Sequence, residues 1–218
     1  MPAFSVFRWI EGRGWIVLSG GPDRAGELRG QALARAAADG AVACVTLSGD
    51  LAEADHLLDD IEDLGAPSGY IVDLISEDDA TVLNKLAEAS VIVIADAPNV
   101  DTARSMLTGA ALEGIRNAYA NGAVILVEAN AIAVFGMWLL LENGSKALGF
   151  DWLHNALIMP NLPETSERTR IFLEEYTAGI VVAIGSGSAL ALGPDGQVET
   201  WGRGEVTVAL GSQFLAKG

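Results

Sequence analysis

The sequence has few of the residues on which metal binding and nucleophilic catalysis usually depend. One cysteine and two histidines in 218 residues exclude a disulfide within the chain and argue against a zinc site, which needs three or four nitrogen or sulfur ligands. The cysteine, Cys44, stands inside the apolar run AVACVTL, which predicts a buried strand and a packed thiol rather than a nucleophile. We therefore expect a protein that uses neither a metal nor a cofactor.

Basic residues are also scarce. Lysine and arginine total 13 against 29 aspartates and glutamates, which gives a formal net charge of -16. A surface of this charge repels phosphate backbones and anionic lipid, so we expect neither a nucleic-acid partner nor a membrane. The longest apolar stretch, AIAVFGMWLLL, is too short to span a bilayer, and the N-terminus lacks the basic start of a signal peptide. These absences predict a soluble cytoplasmic protein.

Hydrophobic residues make up 50% of the chain, which is enough to bury the core of a single domain covering residues 1–218. Apolar runs alternate with segments of helical period, a pattern that predicts a three-layer α/β fold with a mostly parallel sheet and helices on both faces. Short runs near the C-terminus, separated by Pro-Asp-Gly and Gly-Arg-Gly turns, predict antiparallel strands at one edge. The predicted helices cover residues 25–39, 51–65, 77–89 with Ser76 as N-cap, 103–122, 130–141 and 165–177. The first element is predicted to be a hairpin, FSVFRWI followed by WIVLSG.

Ligands of open α/β sheets bind at the carboxyl ends of the strands, so we expect any ligand site of this chain at a strand-to-helix junction. SGGPDR at residues 19–24 does not have the spacing of a phosphate-binding loop and is interpreted as a tight turn. IADAPNVDTA at 94–103 and MPNLPE at 159–164 are two further junctions. VEANA at 127–131 has the small residues of a nucleophile elbow, but its apex, Ala129, offers no hydroxyl or thiol.

The order of elements and several segments resemble the cyanophycinase and peptidase E family over nearly the whole chain. The segments that carry the resemblance are IVLSGGPDR, LAEASVIVIADAPN, TGAALEGIRNAYANGAVI, VEANAIAVFG, GFDWL and WGRGEVTVAL. The resemblance implies a class I glutamine amidotransferase-like fold. It also implies descent from serine peptidases that cleave Asp-containing peptides, with a GGNQ-like loop, a GTSAGA elbow and a D-Q-H-like motif.

The active-site motifs of that family do not match this chain. Ala129 falls where the family has its serine, with Glu128 in place of a threonine and Asn130 in place of an alanine. The GGNQ-like loop falls on residues 96–99, Asp96-Ala97-Pro98-Asn99, where a carboxylate would oppose negative charge on a substrate oxygen. The histidine falls on Asn161, which cannot accept a proton as a general base does. The resemblance therefore implies a family member without the serine mechanism.

No other residue replaces the missing groups convincingly. His154 lies seven positions before Asn161, or roughly 23 Å away along a strand. His56 stands among carboxylates on an acidic helix, which is typical of a solvated surface residue. Ser186 and Ser188 in GSGSA lie between two predicted strands with no helix after them, which favours a turn over an elbow.

Three hypotheses remain open. The leading one is a catalytically inactive homologue retained as a binding or assembly protein, whose degenerate cleft takes a small molecule or peptide. The residues that would contact such a ligand are Glu128, Asn130, Asp96, Asn99 and Asn161.

The second hypothesis is an enzyme of different chemistry, with Glu128 and Asp96 as acid and base or as ligands of a hard cation. The third is a structural subunit, and here a homo-oligomer, in which Phe4, Phe7 and Trp9 of the opening hairpin either lie at the interface or pack on their own domain. Beside these three stands an active hydrolase of the family with a displaced nucleophile.

Overall fold

The computed structural model describes residues 6–21, 26–36, 40–66, 68–141, 143–160 and 166–215. It confirms the predicted α/β class. The strands are β1 (Trp15–Ser19), β2 (Val42–Val45), β3 (Gly69–Val72), β4 (Val91–Ile94), β5 (Val124–Glu128), β6 (Gly136–Leu140), β7 (Lys146–Leu148), β8 (Leu153–Pro160), β9 (Ile180–Ile184), β10 (Ser188–Leu192), β11 (Val198–Gly202) and β12 (Val206–Leu210). The helices are α1 (Glu27–Arg35), α2 (Leu51–Asp63), α3 (Asp79–Glu88), α4 (Val100–Leu107), α5 (Ala110–Asn121), α6 (Glu167–Glu175) and α7 (Ser212–Leu215).

The described strands form two sheets. A seven-stranded sheet has the order β11-β10-β1-β5-β4-β2-β3, in which β1 to β5 are parallel and β10 and β11 are the antiparallel edge that the sequence predicts. A five-stranded sheet has the order β12-β9-β8-β6-β7, with parallel β6, β8 and β9 and antiparallel strands at both edges. The sequence pattern does not show which of the short C-terminal strands, β9 to β12, belongs to which sheet, because their apolar runs are alike.

Both faces of the seven-stranded sheet are buried. Leu28 of α1 and Ile61 of α2 pack on one face against alternate residues such as Cys44. The other face packs against α3, α4, α5 and the second sheet, and it forms the largest apolar cluster. Phe172 of α6 covers the outer side of the second sheet. Burial of each strand on both faces explains why β1, β2, β4 and β5 are continuous apolar runs.

The predicted opening hairpin is wrong. Trp9 forms an antiparallel bridge with Leu153 at the start of β8, and the Ile10 N–H donates to Trp152 O at 2.9 Å. This segment therefore pairs with the start of β8 in the second sheet and not with β1. Phe7 and Trp9 are partly buried against the core, while Phe4 lies outside the described residues.

The predicted helix over 130–141 is also wrong in its second half. A 3-10 helix covers Ala129–Phe135, and the chain then becomes strand β6. A Cβ at Gly136 would lie 2.7 Å from Ala156 O, which shows how closely β6 approaches β8. Residues buried all round have no polar face, so their pattern does not separate a helix from a central strand.

Smaller corrections concern helix ends. The predicted helix over 103–122 is two helices, α4 and α5, separated at Gly109, whose φ of 91° favours glycine. Asp78 rather than Ser76 caps α3, since its carboxylate accepts from the N–H groups of Ala80 and Thr81. Within the described ranges, no helix has the length and apolar character that a membrane crossing requires.

Candidate functional site

The corner after β5 is a sharp strand-to-helix turn with a methyl group at its apex, as a nucleophile elbow without its nucleophile would have. Ala129 follows the last residue of β5 and has a φ of 48°, in the left-handed region that non-glycine residues avoid. Such a conformation costs about 1–3 kcal/mol and persists only where neighbouring contacts hold it. The apex predicted from the sequence is thus in the expected place, and its side chain has no nucleophilic atom.

Asp96 places a carboxylate oxygen on two backbone donors beside this corner. Its Oδ1 accepts from the Ala97 N–H at 2.7 Å and from the Asn130 N–H at 2.9 Å. In elbow hydrolases the N–H of the residue after the nucleophile and an N–H of a neighbouring loop form the oxyanion hole. The corresponding two donors of this chain already hold a negative oxygen, which belongs to the protein itself.

A separate hydrogen bond keeps the two donors together. The Asn130 side-chain amide donates from Nδ2 to Ala97 O at 3.0 Å, so the loop after β4 is tied to the corner after β5 without the help of Asp96. The side chain of Asp96 is itself exposed. The two N–H groups therefore have a fixed arrangement, while the carboxylate that occupies them lies at the surface.

Glu128 points to a different set of partners. Its side chain is only 10% exposed, and both carboxylate oxygens are bound by Arg29 of α1, Oε1 by Nε at 2.8 Å and Oε2 by Nη2 at 2.7 Å. Arg29 also contacts Asp60 of α2 through Nη1 at 2.9 Å. Burial opposes the charge of Arg29, but the hydrogen bond and charge of Glu128 outweigh it and raise the Arg29 pKa. Glu128 thus belongs to an ion pair that joins β5 to both helices on that face.

The remaining sequence-predicted contact residues are placed separately. Asn99 caps α4, because its side-chain oxygen accepts from the Thr102 N–H at 2.8 Å. Asn161, at the position of the family's histidine, lies outside the described residues. The structure therefore brings Asp96 and Asn130 together, directs Glu128 towards α1, and gives Asn99 a capping contact.

Three partners of the site were missed from the sequence: Arg29, Asp60 and the backbone of Ala97. No sequence signal identifies them, since Arg29 and Glu128 are 99 positions apart and each is one charged residue among many.

Neither histidine lies at the elbow corner. His154 is at the start of β8, where its Nδ1 is 3.1 Å from Asp151 Oδ1, and His56 is an exposed residue of α2. Ser188 begins β10 and donates from Oγ to Gly185 O at 2.7 Å, in the turn that the sequence predicts there. In the described part of the chain, no group of three or more histidine, cysteine, aspartate or glutamate residues is placed to hold a metal ion.

The buried thiol of Cys44 gives a prediction about reactivity. Burial raises the pKa of Cys44 from 9.0 to about 12, although Arg29 opposes the shift. We expect the native thiol to react with a disulfide reagent such as DTNB at pH 8 no faster than the protein unfolds, and at once in guanidinium chloride. Rapid reaction of the folded protein would contradict a packed thiol.

The raised pKa of Cys44 also affects how stability depends on pH. Because the folded pKa is raised, the stabilisation that the protonated thiol contributes is fully present below pH 9.0 and is lost as the pH rises towards 12.

Comparison with known proteins gives likenesses of structure only. A peptidase from an acI-B1 Actinobacterium matches with a TM-score of 0.74 and 14% identity, covering 92% of this chain and 93% of that one. A candidate peptidase E protein from Listeria monocytogenes EGD-e matches with a TM-score of 0.65 and 14% identity, covering 87% of this chain and 98% of that one. No protein-family model and no curated protein matches the sequence. The chain has the α/β fold of these peptidase structures.

Proposed function

We propose that this chain is a peptidase-like protein without serine catalysis, retained as a binding or assembly protein. The observation that carries the proposal is the corner at Ala129, where a methyl group stands at the apex of the elbow and Asp96 occupies its two backbone donors. A serine peptidase needs a hydroxyl at the apex and empty donors that receive the oxyanion. This corner has neither, while its strained backbone is kept.

Two polar contacts explain how the strained corner persists without a catalytic purpose. Arg29 holds Glu128 on one side of Ala129, and Asn130 holds the loop of Asp96 on the other. The corner has become a structural junction of β5, α1 and the loop after β4. Such a rigid junction suits a protein that presents a surface to a ligand or partner.

Assays on the purified protein test the proposal. We expect no hydrolysis of Asp-containing peptides and no labelling by a fluorophosphonate, because Ala129 offers no oxygen to either. Product release should be followed by mass spectrometry, with an active serine peptidase as the positive control. Hydrolysis that disappears on changing Glu128 or Asn161 would contradict the proposal and support an enzyme of different chemistry.

The alternative chemistry with Glu128 and Asp96 has less support from the geometry. Glu128 has both oxygens on Arg29, and Asp96 has Oδ1 on two N–H groups, so each carboxylate would have to leave its partners before binding a cation. A calorimetric titration with magnesium, calcium and manganese tests this hypothesis directly. Heat of binding that is lost in Asp96→Ala would revive it.

A further inference from the structure

A cavity of about 610 Å³ lies at the other end of the seven-stranded sheet from the elbow corner. Its walls are the segment 7–12 before β1, His154 at the start of β8, and the turn 193–196 that follows β10. Ala129, by contrast, follows the carboxyl end of β5, which runs parallel to β1. The cavity therefore shares no residue with the degenerate elbow.

The walls of this cavity are held by hydrogen bonds and are largely pre-formed. The His154 N–H donates to Arg8 O at 2.7 Å, and the Ile10 O accepts from the Tyr119 hydroxyl at 3.2 Å. Across the opening, the Gly193 N–H donates to Gln197 O at 2.8 Å and closes the turn. The cavity is open to solvent, and its volume lies in the range of small-molecule sites.

One part of the lining favours a negatively charged group. Because Trp9 pairs with Leu153 in an antiparallel bridge, Arg8 and His154 are direct neighbours across the bridge and project to the same side. The His154 Nδ1 lies 3.1 Å from Asp151 Oδ1, a buried oxygen that accepts no hydrogen bond in the described structure, so Nε2 is the ring nitrogen that does not face this carboxylate. Both residues line the cavity, and a guanidinium and an imidazole N–H are suitable donors for one carboxylate.

Another part of the lining favours a positively charged group. Glu11 and Asp195 line the same cavity, and Asp195 is held by a φ of 58° in the turn after β10. In the ranges that the structure describes, no ion pair engages Arg8, Glu11 or Asp195. Exposed residues with charges of both signs therefore line one cavity without forming ion pairs with each other.

We propose that this cavity binds a zwitterionic small molecule, a free amino acid or a short peptide. Its carboxylate contacts Arg8 and His154, and its ammonium group contacts Glu11 and Asp195. A simple anion is repelled by Glu11 and Asp195, and by Asp151 beside His154, while a simple cation is repelled by Arg8. A ligand that carries both charges therefore complements the lining best. The proposal goes beyond the proposed function and does not depend on whether the elbow is catalytic.

Titration of ¹⁵N-labelled protein with alanyl-alanine, followed by NMR, tests the proposal. We expect saturable shifts of the amides in residues 8–12, at His154 and in the turn 193–197 at probe concentrations up to about 10 mM. N-acetyl-alanyl-alanine and alanyl-alanine amide each lack one charge and should bind at least about tenfold more weakly. Free alanine, titrated in parallel, distinguishes the two sources: equal affinity indicates an amino-acid site, and weaker affinity a peptide site.

Matched variants separate this cavity from general surface charge. Arg8→Ala and Glu11→Ala should each weaken binding of alanyl-alanine by about tenfold or more. Arg104→Ala and Glu113→Ala remove the same charges from exposed positions of α4 and α5 and should leave the affinity unchanged. The proposal is overturned by an absence of shifts, by shifts confined to residues 96–99 and 128–130, or by blocked dipeptides that bind as well as the free one.

Discussion

Replacing Arg29 by alanine is expected to lower the free energy of unfolding by about 3 kcal/mol. The change leaves the Glu128 side chain, which is 10% exposed, without the guanidinium that binds both of its carboxylate oxygens. Removing one partner of a buried ion pair is costly chiefly because the other charge remains in a poorly hydrated position. Urea denaturation of Arg29→Ala beside the unchanged protein measures the effect.

A second substitution shows whether the buried charge of Glu128 causes the loss of stability in Arg29→Ala. Adding Glu128→Gln to Arg29→Ala removes the stranded charge, and we expect it to restore about 1–3 kcal/mol as a coupling energy between the two positions. Arg203→Ala is the control, because its pair with Glu27 has an arginine side chain that is 86% exposed and should cost less than about 1 kcal/mol. Equal losses from Arg29→Ala and Arg203→Ala would mean that the pair at Glu128 contributes no more than a surface contact.

The position of the elbow could be predicted from the sequence because it depends on local chemistry. A run of buried-strand residues ending at small residues around Ala129 specifies a sharp corner, and the φ of 48° there agrees with that expectation. The partner of Glu128 could not be predicted in the same way. Arg29 comes close to it only through the packing of α1 on the sheet, across 99 positions of sequence.

The fold errors have a related physical cause. Strand β6 and the bridge at Trp9 both depend on pairing with β8, and pairing between distant segments leaves no local pattern. The run GMWLL is apolar enough for either a buried helix or a buried strand, so only the tertiary partner decides its conformation. The hydrogen bonds of Asp96 were missed for a similar reason: the sequence indicates the charge but not the N–H groups that bind it.

Asp96 itself is expected to have the largest effect on chemistry when the missing groups are rebuilt. In a protein carrying Ala129→Ser and Asn161→His, adding Asp96→Ala should speed fluorophosphonate labelling by at least about 100-fold. The Ala97 and Asn130 N–H groups then become free for the phosphoryl oxygen, and each such donor contributes about 100- to 1,000-fold to catalysis in enzymes that use it. The Asn130 bond to Ala97 O keeps the two donors in place after Asp96 is removed.

The matched variant Asp96→Asn shows whether labelling of this rebuilt protein is slowed by occupation of the two N–H groups or by the negative charge of Asp96. Its amide oxygen still accepts from the two N–H groups, so labelling should remain far slower than in Asp96→Ala if occupation of the donors is the obstacle. If instead Asp96→Asn labels as fast as Asp96→Ala, the negative charge alone opposes the reaction. Equal labelling with and without Asp96 would show that its contacts at 2.7 Å and 2.9 Å do not block oxyanion binding. The inactivity that we propose would then rest on Ala129 and Asn161 alone.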